Sequence, residues 1–316
     1  MKLLFELLFI AAVTSISLSP ESAQAQADAA SKEKARKVFV ENSPKIFGLK
    51  SLVQVEIVME GRQAGNSDSN TFSIATAISD NILLCSYRSI KPSPNISRLR
   101  RAQLGNVKIN TEVKEIKVVD ESGEEFDARL VLHDEDLDLA FVAIDKKAEN
   151  YDSWSCQPVD ISQDVELEHL DDIAFLGRSE TLRMQPSVRI GQIHTIIPRP
   201  RRHYITSSPV LSGAAFSVDG KFVGLGTRKK SSSGSEYTAV LPSKYIRTFL
   251  PQAIEQAEKA ASEAAEEEDG DSDDGTDEKS DDDKEENEGE ADSSEKASSE
   301  AGDATSEPKQ EESREE

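Results

Sequence analysis

Val210-Leu211-Ser212-Gly213-Ala214-Ala215-Phe216-Ser217-Val218-Asp219-Gly220-Lys221-Phe222-Val223-Gly224 reads as two strands joined by a tight turn. An Asp-Gly pair between apolar runs is a strong short-range signal for a two-residue hairpin loop. Working outward, strand-like runs recur at 172–176, 187–197, 203–206, 213–218, 222–227 and 236–241. Upstream, Val53, Val55, Ile57 and Met59 alternate with Gln54, Glu56 and Val58, the pattern of a half-buried strand. Further runs follow at 72–79, 82–86, 113–119, 125–132 and 138–145, with Gly61–Asn70 as a polar loop and Ser122-Gly123 as a turn. Between the two sets lies Lys146–Val165, polar and irregular, which holds the only tryptophan and reads as a linker. About six strands on each side predict an all-β fold of two six-stranded antiparallel β-barrels. Outside them, Ala27–Lys37 reads as a helix leading into the fold. Ser243 caps a short helix to Leu250, Pro251 resets the chain, and 251–268 forms a helical extension.

The net charge of −23 is local: residues 251–316 hold 28 acidic and 6 basic side chains, against 32 and 31 in residues 1–250. From Asp271 onward the only apolar side chains are four alanines, too few to offset ordering entropy, so 269–316 is predicted to be a disordered acidic tail. At the other end, Lys2, the uncharged run Leu7–Leu18 and Ala23-Gln24-Ala25 predict a signal peptide over 1–25 and an exported, periplasmic or extracellular protein. No other stretch is long enough to cross a membrane. In an oxidising compartment Cys85 and Cys156 have two alternatives. A disulfide would close a loop of about 70 residues worth roughly 4 kcal/mol; otherwise they are separate buried thiols. Neither has metal-ligand spacing, and no metal or cofactor is expected.

The segment around Ser212 resembles the nucleophile loop of HtrA/Deg-type trypsin-like serine proteases, where Gly-x-Ser-Gly-Gly-Pro precedes a hairpin. Asp138-Leu139-Ala140-Phe141-Val142-Ala143-Ile144 resembles the strand that presents that family's triad aspartate. Ile82-Leu83-Leu84-Cys85-Ser86-Tyr87-Arg88-Ser89-Ile90 resembles the segment that ends in its histidine. The resemblance covers about residues 38–250 and implies the family's double-barrel domain there. No PDZ-like sequence follows.

The triad mechanism needs an imidazole to take the serine proton and an aspartate to orient it. The resemblance puts Ser212 and Asp138 at two of those positions and Arg88 at the third. Arginine has no lone pair to accept a proton and stays charged, so it cannot act as the base; an Arg88–Asp138 ion pair is expected instead. The oxyanion loop is altered as well. Val210 stands where the family has the glycine that turns N–H groups toward the oxyanion, Leu211 and Gly213 flank Ser212, and Ala214-Ala215 replace Gly-Pro. Of the other histidines, His133 and His203 lie nearest the matched segments in sequence, with His169 and His194 further off. Each has the plainer reading of a surface or satisfied residue. No lysine occupies a recognisable position for a Ser–Lys dyad.

Basic clusters occur at Arg98, Arg100 and Arg101, at Arg199, Arg201 and Arg202, and at Arg228-Lys229-Lys230. They read as solvated loops, as polyanion sites, or as surfaces covered by the chain's own tail. Asn95-Ile96-Ser97 is a formal glycosylation sequon. The sequence therefore reads as an exported double-barrel protein that has lost serine-protease chemistry and binds a peptide or protein, with no specific nucleic-acid module. The alternatives are an active endopeptidase with a non-standard base and an unrelated β-rich interaction module.

Overall fold

A computed structural model describes residues 20–59, 62–92, 107–207, 212–231 and 234–269. The expected signal segment up to residue 19, Arg98, Arg100, Arg101, Val210, Leu211 and the acidic tail from 270 onward lie outside the described residues. The first barrel contains β1 (Ile46–Met59), β2 (Arg62–Ala77), β3 (Ile82–Cys85), β4 (Val107–Val119), β5 (Glu125–Asp134) and β6 (Leu139–Ile144). It closes in the order β1-β2-β3-β6-β5-β4. The second contains β7 (Asp172–Ser179), β8 (Gln185–Ile197), β9 (His203–Thr206), β10 (Ser212–Ser217), β11 (Phe222–Lys230) and β12 (Glu236–Pro242), closed as β10-β11-β12-β9-β8-β7. Both are antiparallel throughout. This is the predicted all-β architecture, compatible with a trypsin-like double-barrel fold.

Strand parity builds three cores. In β3, Leu83 and Cys85 fill the first barrel, while Ile82 and Leu84 face the seam between the barrels; in β6, Ala140 and Val142 face inward and Leu139 and Phe141 face the seam. In β7 and β10, Phe175 and Ala215 fill the second barrel, and Ala174, Leu176, Ala214 and Phe216 join the seam. A strand buried on both faces reads as a continuous apolar run, which is why these four showed no polar alternation. The seam is thus a hydrophobic layer shared by both barrels.

Three polar devices fix the parts around it. Arg178 on β7, its side chain 1% exposed, donates to the carbonyls of Ile46, Met184 (2.9 Å) and Ser43 (3.1 Å), so a buried guanidinium ties the second barrel to the start of β1. Its burial pushes its pKa down. Trp154 of the linker packs against Phe47 and Phe126, each with ring centroids 5.0 Å away, and its indole N–H donates to the Asp80 carbonyl at 2.8 Å. Arg247 donates to the Ile161 carbonyl (3.0 Å) and pairs with Asp164 (2.6 Å), holding the C-terminal helix to the linker.

Several elements differ from expectation. The polar segment 62–70 is strand, not loop: β2 pairs with β1 from Met59↔Arg62 through Ile46↔Thr76. The backbone ladder of a long hairpin outweighs the weak strand propensity of its Asn, Ser and Asp residues. The hairpin after β10 has a three-residue loop rather than two. Ser217 N–H donates to the Lys221 carbonyl at 2.9 Å, and Gly220 takes the left-handed position at φ +85°. The leading helix α1 spans Pro20–Asn42 and packs on β7 and β8. α2 is the single turn Tyr87–Ile90. Pro251 does not interrupt the last helix: α3 runs unbroken over Ser243–Asp269. Ile246, Phe249, Leu250, Ala253, Ile254 and Ala257 form one apolar stripe packed on the seam core, and that burial holds the helix through the proline. Among the described residues no helix is long and apolar enough to cross a membrane.

Candidate functional site at the interbarrel seam

Asp138 ends the turn between β5 and β6 and is 1% exposed. Its backbone sits in the left-handed region at φ +59°, which Asp and Asn tolerate better than other side chains with a Cβ. One oxygen, Oδ1, accepts both the Ser86 hydroxyl (2.9 Å) and the Arg88 backbone N–H (2.8 Å). These donors come from the junction of β3 and α2, so the carboxylate ties that junction to β6. Burial nevertheless pushes the carboxyl pKa above the ordinary aspartate value; the two donors, Lys229 and Arg88 pull the other way.

Arg88 therefore meets Asp138, but through its main chain. The expected ion pair is not formed: the Arg88 side chain is exposed, and among the described residues it has no carboxylate within ion-pairing distance. The second position of the short helical turn Tyr87–Ile90 directs the backbone N–H at the carboxylate and the side chain toward solvent.

Ser212 opens β10, is 8% exposed, and lies directly opposite Thr227 of β11. It shares its parity with Ala214 and Phe216, so its hydroxyl is on the seam face. Gly213 is required by packing: a Cβ there would sit 2.7 Å from the Leu176 carbonyl oxygen of the neighbouring β7. That packing role holds with or without catalysis.

The residue that sequence reading missed is Lys229. On β11, Leu225, Thr227 and Lys229 share the seam face, and Lys229 is the diagonal neighbour of Ser212, with a Cβ separation of about 7–8 Å typical of such pairs. Its ammonium lies within electrostatic range of Asp138, Arg88, Asp134 and Asp136. Burial, the largest influence, pushes its pKa down, opposed first by Asp138. Within Arg228-Lys229-Lys230 it resembled a solvated loop; the strand parity running from Leu225 was the signal that could have found it. Its neighbours in that cluster share one carboxylate, Arg228 and Lys230 both pairing with Glu236, at 2.9 and 3.7 Å.

The histidines stand apart from Ser212. His133 stacks on Tyr87 with ring centroids 4.3 Å apart. His203 is on β9, separated from β10 by β12 and β11, three strand spacings or about 14 Å along the sheet. Its Nδ1 lies 2.9 Å from the Arg201 carbonyl, and burial pushes its pKa down. His169 and His194 are exposed on the second-barrel side.

The two cysteines are free thiols, so the disulfide alternative gives way to the other. Cys85 points into the first barrel toward the Ala140 carbonyl (3.8 Å), while Cys156 turns toward the Asp80 carbonyl (3.1 Å). Burial pushes both thiols up, Cys156 to about 11. Arg202 pairs with Glu166 at 3.0 Å, whereas Arg199 and Arg201 form no ion pair among the described residues. Among those residues no group of three or more His, Cys, Asp or Glu side chains is arranged to hold a metal ion. No protein-family model matches the chain, and no curated protein matches it.

Proposed function

We propose that this is an exported protein that uses a trypsin-like double-barrel fold to bind an extended peptide or unfolded protein segment at the seam without hydrolysing it. The observation that carries this reading is the environment of Asp138. A buried carboxylate and a seam-facing serine sit on opposite barrels, yet the residue in the histidine's place engages the carboxylate through a backbone N–H and offers no lone pair. Oδ1 is already shared by two donors, an arrangement suited to holding the β3–α2 junction in place. The test is fluorescence anisotropy of labelled unfolded casein with the full chain. Saturable binding with the casein intact by mass supports the reading, and binding should persist in Ser212→Ala. Absence of binding at protein concentrations up to about 100 µM, weak on the scale of peptide affinities, would sink it.

One observation favours a second reading. Lys229 shares the seam face with Ser212, and burial depresses its pKa, as a lysine base requires. Asp138 acts against it by stabilising the protonated ammonium. A hydrolase of this kind would show activity rising with pH and lost in Lys229→Met.

A further inference from the structure

We propose that the outer edge of β8, between Pro186 and Gln192, takes an extended peptide as an added strand, and that the peptide it selects carries an acidic residue between two apolar ones. This names the docking strand for the peptide binding proposed above and rests on that reading.

Over residues 185–192, β8 is hydrogen-bonded along one side only. That stretch pairs with β7, and β9 joins from Ile193 onward. The hydrogen bonds at this junction fix the direction of each main-chain group. Ile193 turns toward the β7 side, donating to the Asp171 carbonyl at 3.0 Å and accepting the Leu170 N–H at 2.8 Å. Gln192 turns the other way: its N–H donates to the Ser207 hydroxyl and its carbonyl accepts the Ser207 N–H, both at 3.1 Å. Main-chain groups alternate in direction along an antiparallel strand, and the β7–β8 register runs without a bulge over 185–192. Ile190 and Val188 therefore point their N–H and C=O groups outward, as Gln192 does. No strand among the described residues receives them. Pro186, next in phase, has no N–H and bounds the edge at its far end, as Ser207 does at the near end.

The side chains on this edge are apolar and open. Val188 is 36% and Ile190 40% exposed, and among the described residues they are the large exposed hydrophobics carried by a strand. They pair with Leu176 and Ala174 of the seam core, so the apolar seam layer runs out to this edge. Open edges are usually guarded by charge. β4, unpaired on its outer side over 107–115 among the described residues, exposes Lys108, Glu112 and Lys114.

The occupant follows from this pattern. An added strand would exchange both hydrogen bonds with Val188 and with Ile190 and lay its own apolar side chains beside theirs. Its intervening residue would stand opposite Arg189 on the other face, where an exposed guanidinium favours Asp or Glu. A second copy of the chain fits poorly. Two β8 edges related by a two-fold, in hydrogen-bonding phase, set Arg189 opposite Arg189, or place Pro186 where an N–H is needed, or require Gln192, which Ser207 already holds.

The probe is a capped, fluorescein-labelled peptide of threonine, valine, glutamate, valine and threonine, titrated with the full chain by anisotropy beside labelled unfolded casein. It should bind saturably, and lysine in place of its glutamate should weaken it about fivefold. Arg189→Glu should reverse that preference, and Ile190→Lys should weaken the glutamate peptide about tenfold. Both side chains are exposed, and unchanged Trp154 emission checks the fold. N-methylation of the two valines, whose N–H groups face β8, should abolish binding. N-methylation of the glutamate, whose N–H faces away, should leave it nearly unchanged. Equal binding of the two methylated peptides, or a glutamate preference untouched by Arg189→Glu, would overturn the proposal. So would a dimer in sedimentation that Ile190→Lys dissolves. Casein binding without peptide binding would overturn the edge assignment alone, whereas failure of both would sink the peptide-binding reading with it.

Discussion

Asp138 offers a substitution pair whose outcome can be worked from its geometry. Both donors to the carboxylate share Oδ1, so Asp138→Asn keeps an acceptor at that oxygen and a residue type that tolerates φ +59°. Asp138→Ala keeps neither. It orphans a buried backbone N–H, at about 1–3 kcal/mol, and places alanine in the left-handed region, at about 1 kcal/mol more. Because both variants are uncharged, the desolvation of the carboxylate cancels between them. Asp138→Ala should therefore be about 2–4 kcal/mol less stable than Asp138→Asn in urea unfolding, followed by the fluorescence of the single Trp154. The same pair carries a pH signature. A raised folded-state pKa means that the native state binds more protons between the unfolded and folded values, so wild-type stability falls as pH rises through that window. Asp138→Asn lacks this slope, so its stability relative to wild type should improve from acid to neutral pH. Alanine and asparagine variants within 1 kcal/mol of each other, or an opposite pH trend, would refute the assignment of Asp138 as a buried carboxylate holding the β3–α2 junction.

Other consequences are direct. Arg178→Met removes the buried donors to the Ile46 and Ser43 carbonyls at the start of the first barrel and to the Met184 carbonyl of its own barrel, and should lower stability by about 2–5 kcal/mol in the same assay. Gly213→Ala meets the Leu176 carbonyl and should cost about 1–3 kcal/mol through backbone displacement, whatever the state of Ser212. Protein denatured without reductant should titrate two thiols per chain with Ellman's reagent; none would mean that Cys85 and Cys156 had been bonded. Lys229→Met should flatten a pH dependence of stability: in the wild type the cost of burying the ammonium is relieved as pH rises from the lowered folded pKa toward the ordinary lysine value, so the variant's stability relative to wild type should decline over that alkaline window. Under the proposed non-catalytic reading, Arg88→His alone should give no turnover against unfolded casein, since that reading sets Val210 where the resembled loop has its turning glycine.

The strand count and the two-barrel division were legible because turn residues punctuate apolar runs at short, even spacing. What was illegible depended on pairing. Nothing local marks 62–70 as strand, because its extended form is imposed by the ladder to β1. Pro251 reads as a stop, yet the stripe from Ile246 to Ala257 keeps α3 intact through contacts that only the folded seam supplies. At the site, Asp138 and Ser212 could be picked out from flanking motifs. Lys229 could not, because its meaning comes from the Ser212↔Thr227 register and from the turn it faces on the other barrel. Arg88 shows the same limit: residue type excluded a base, but only the helical turn decides that the backbone, and not the guanidinium, meets Asp138.

The central claim is that Ser212 is not an activated nucleophile. A fluorophosphonate probe reports this directly, because it bonds covalently only to a serine whose proton is being removed by a neighbouring base. Incubated with the full chain from pH 7 to 9, with an active serine protease as the positive control, the probe should leave no adduct at Ser212 by intact mass and peptide mapping. A Ser212 adduct that disappears in Ser212→Ala would contradict the account, and its loss in Lys229→Met would identify the base.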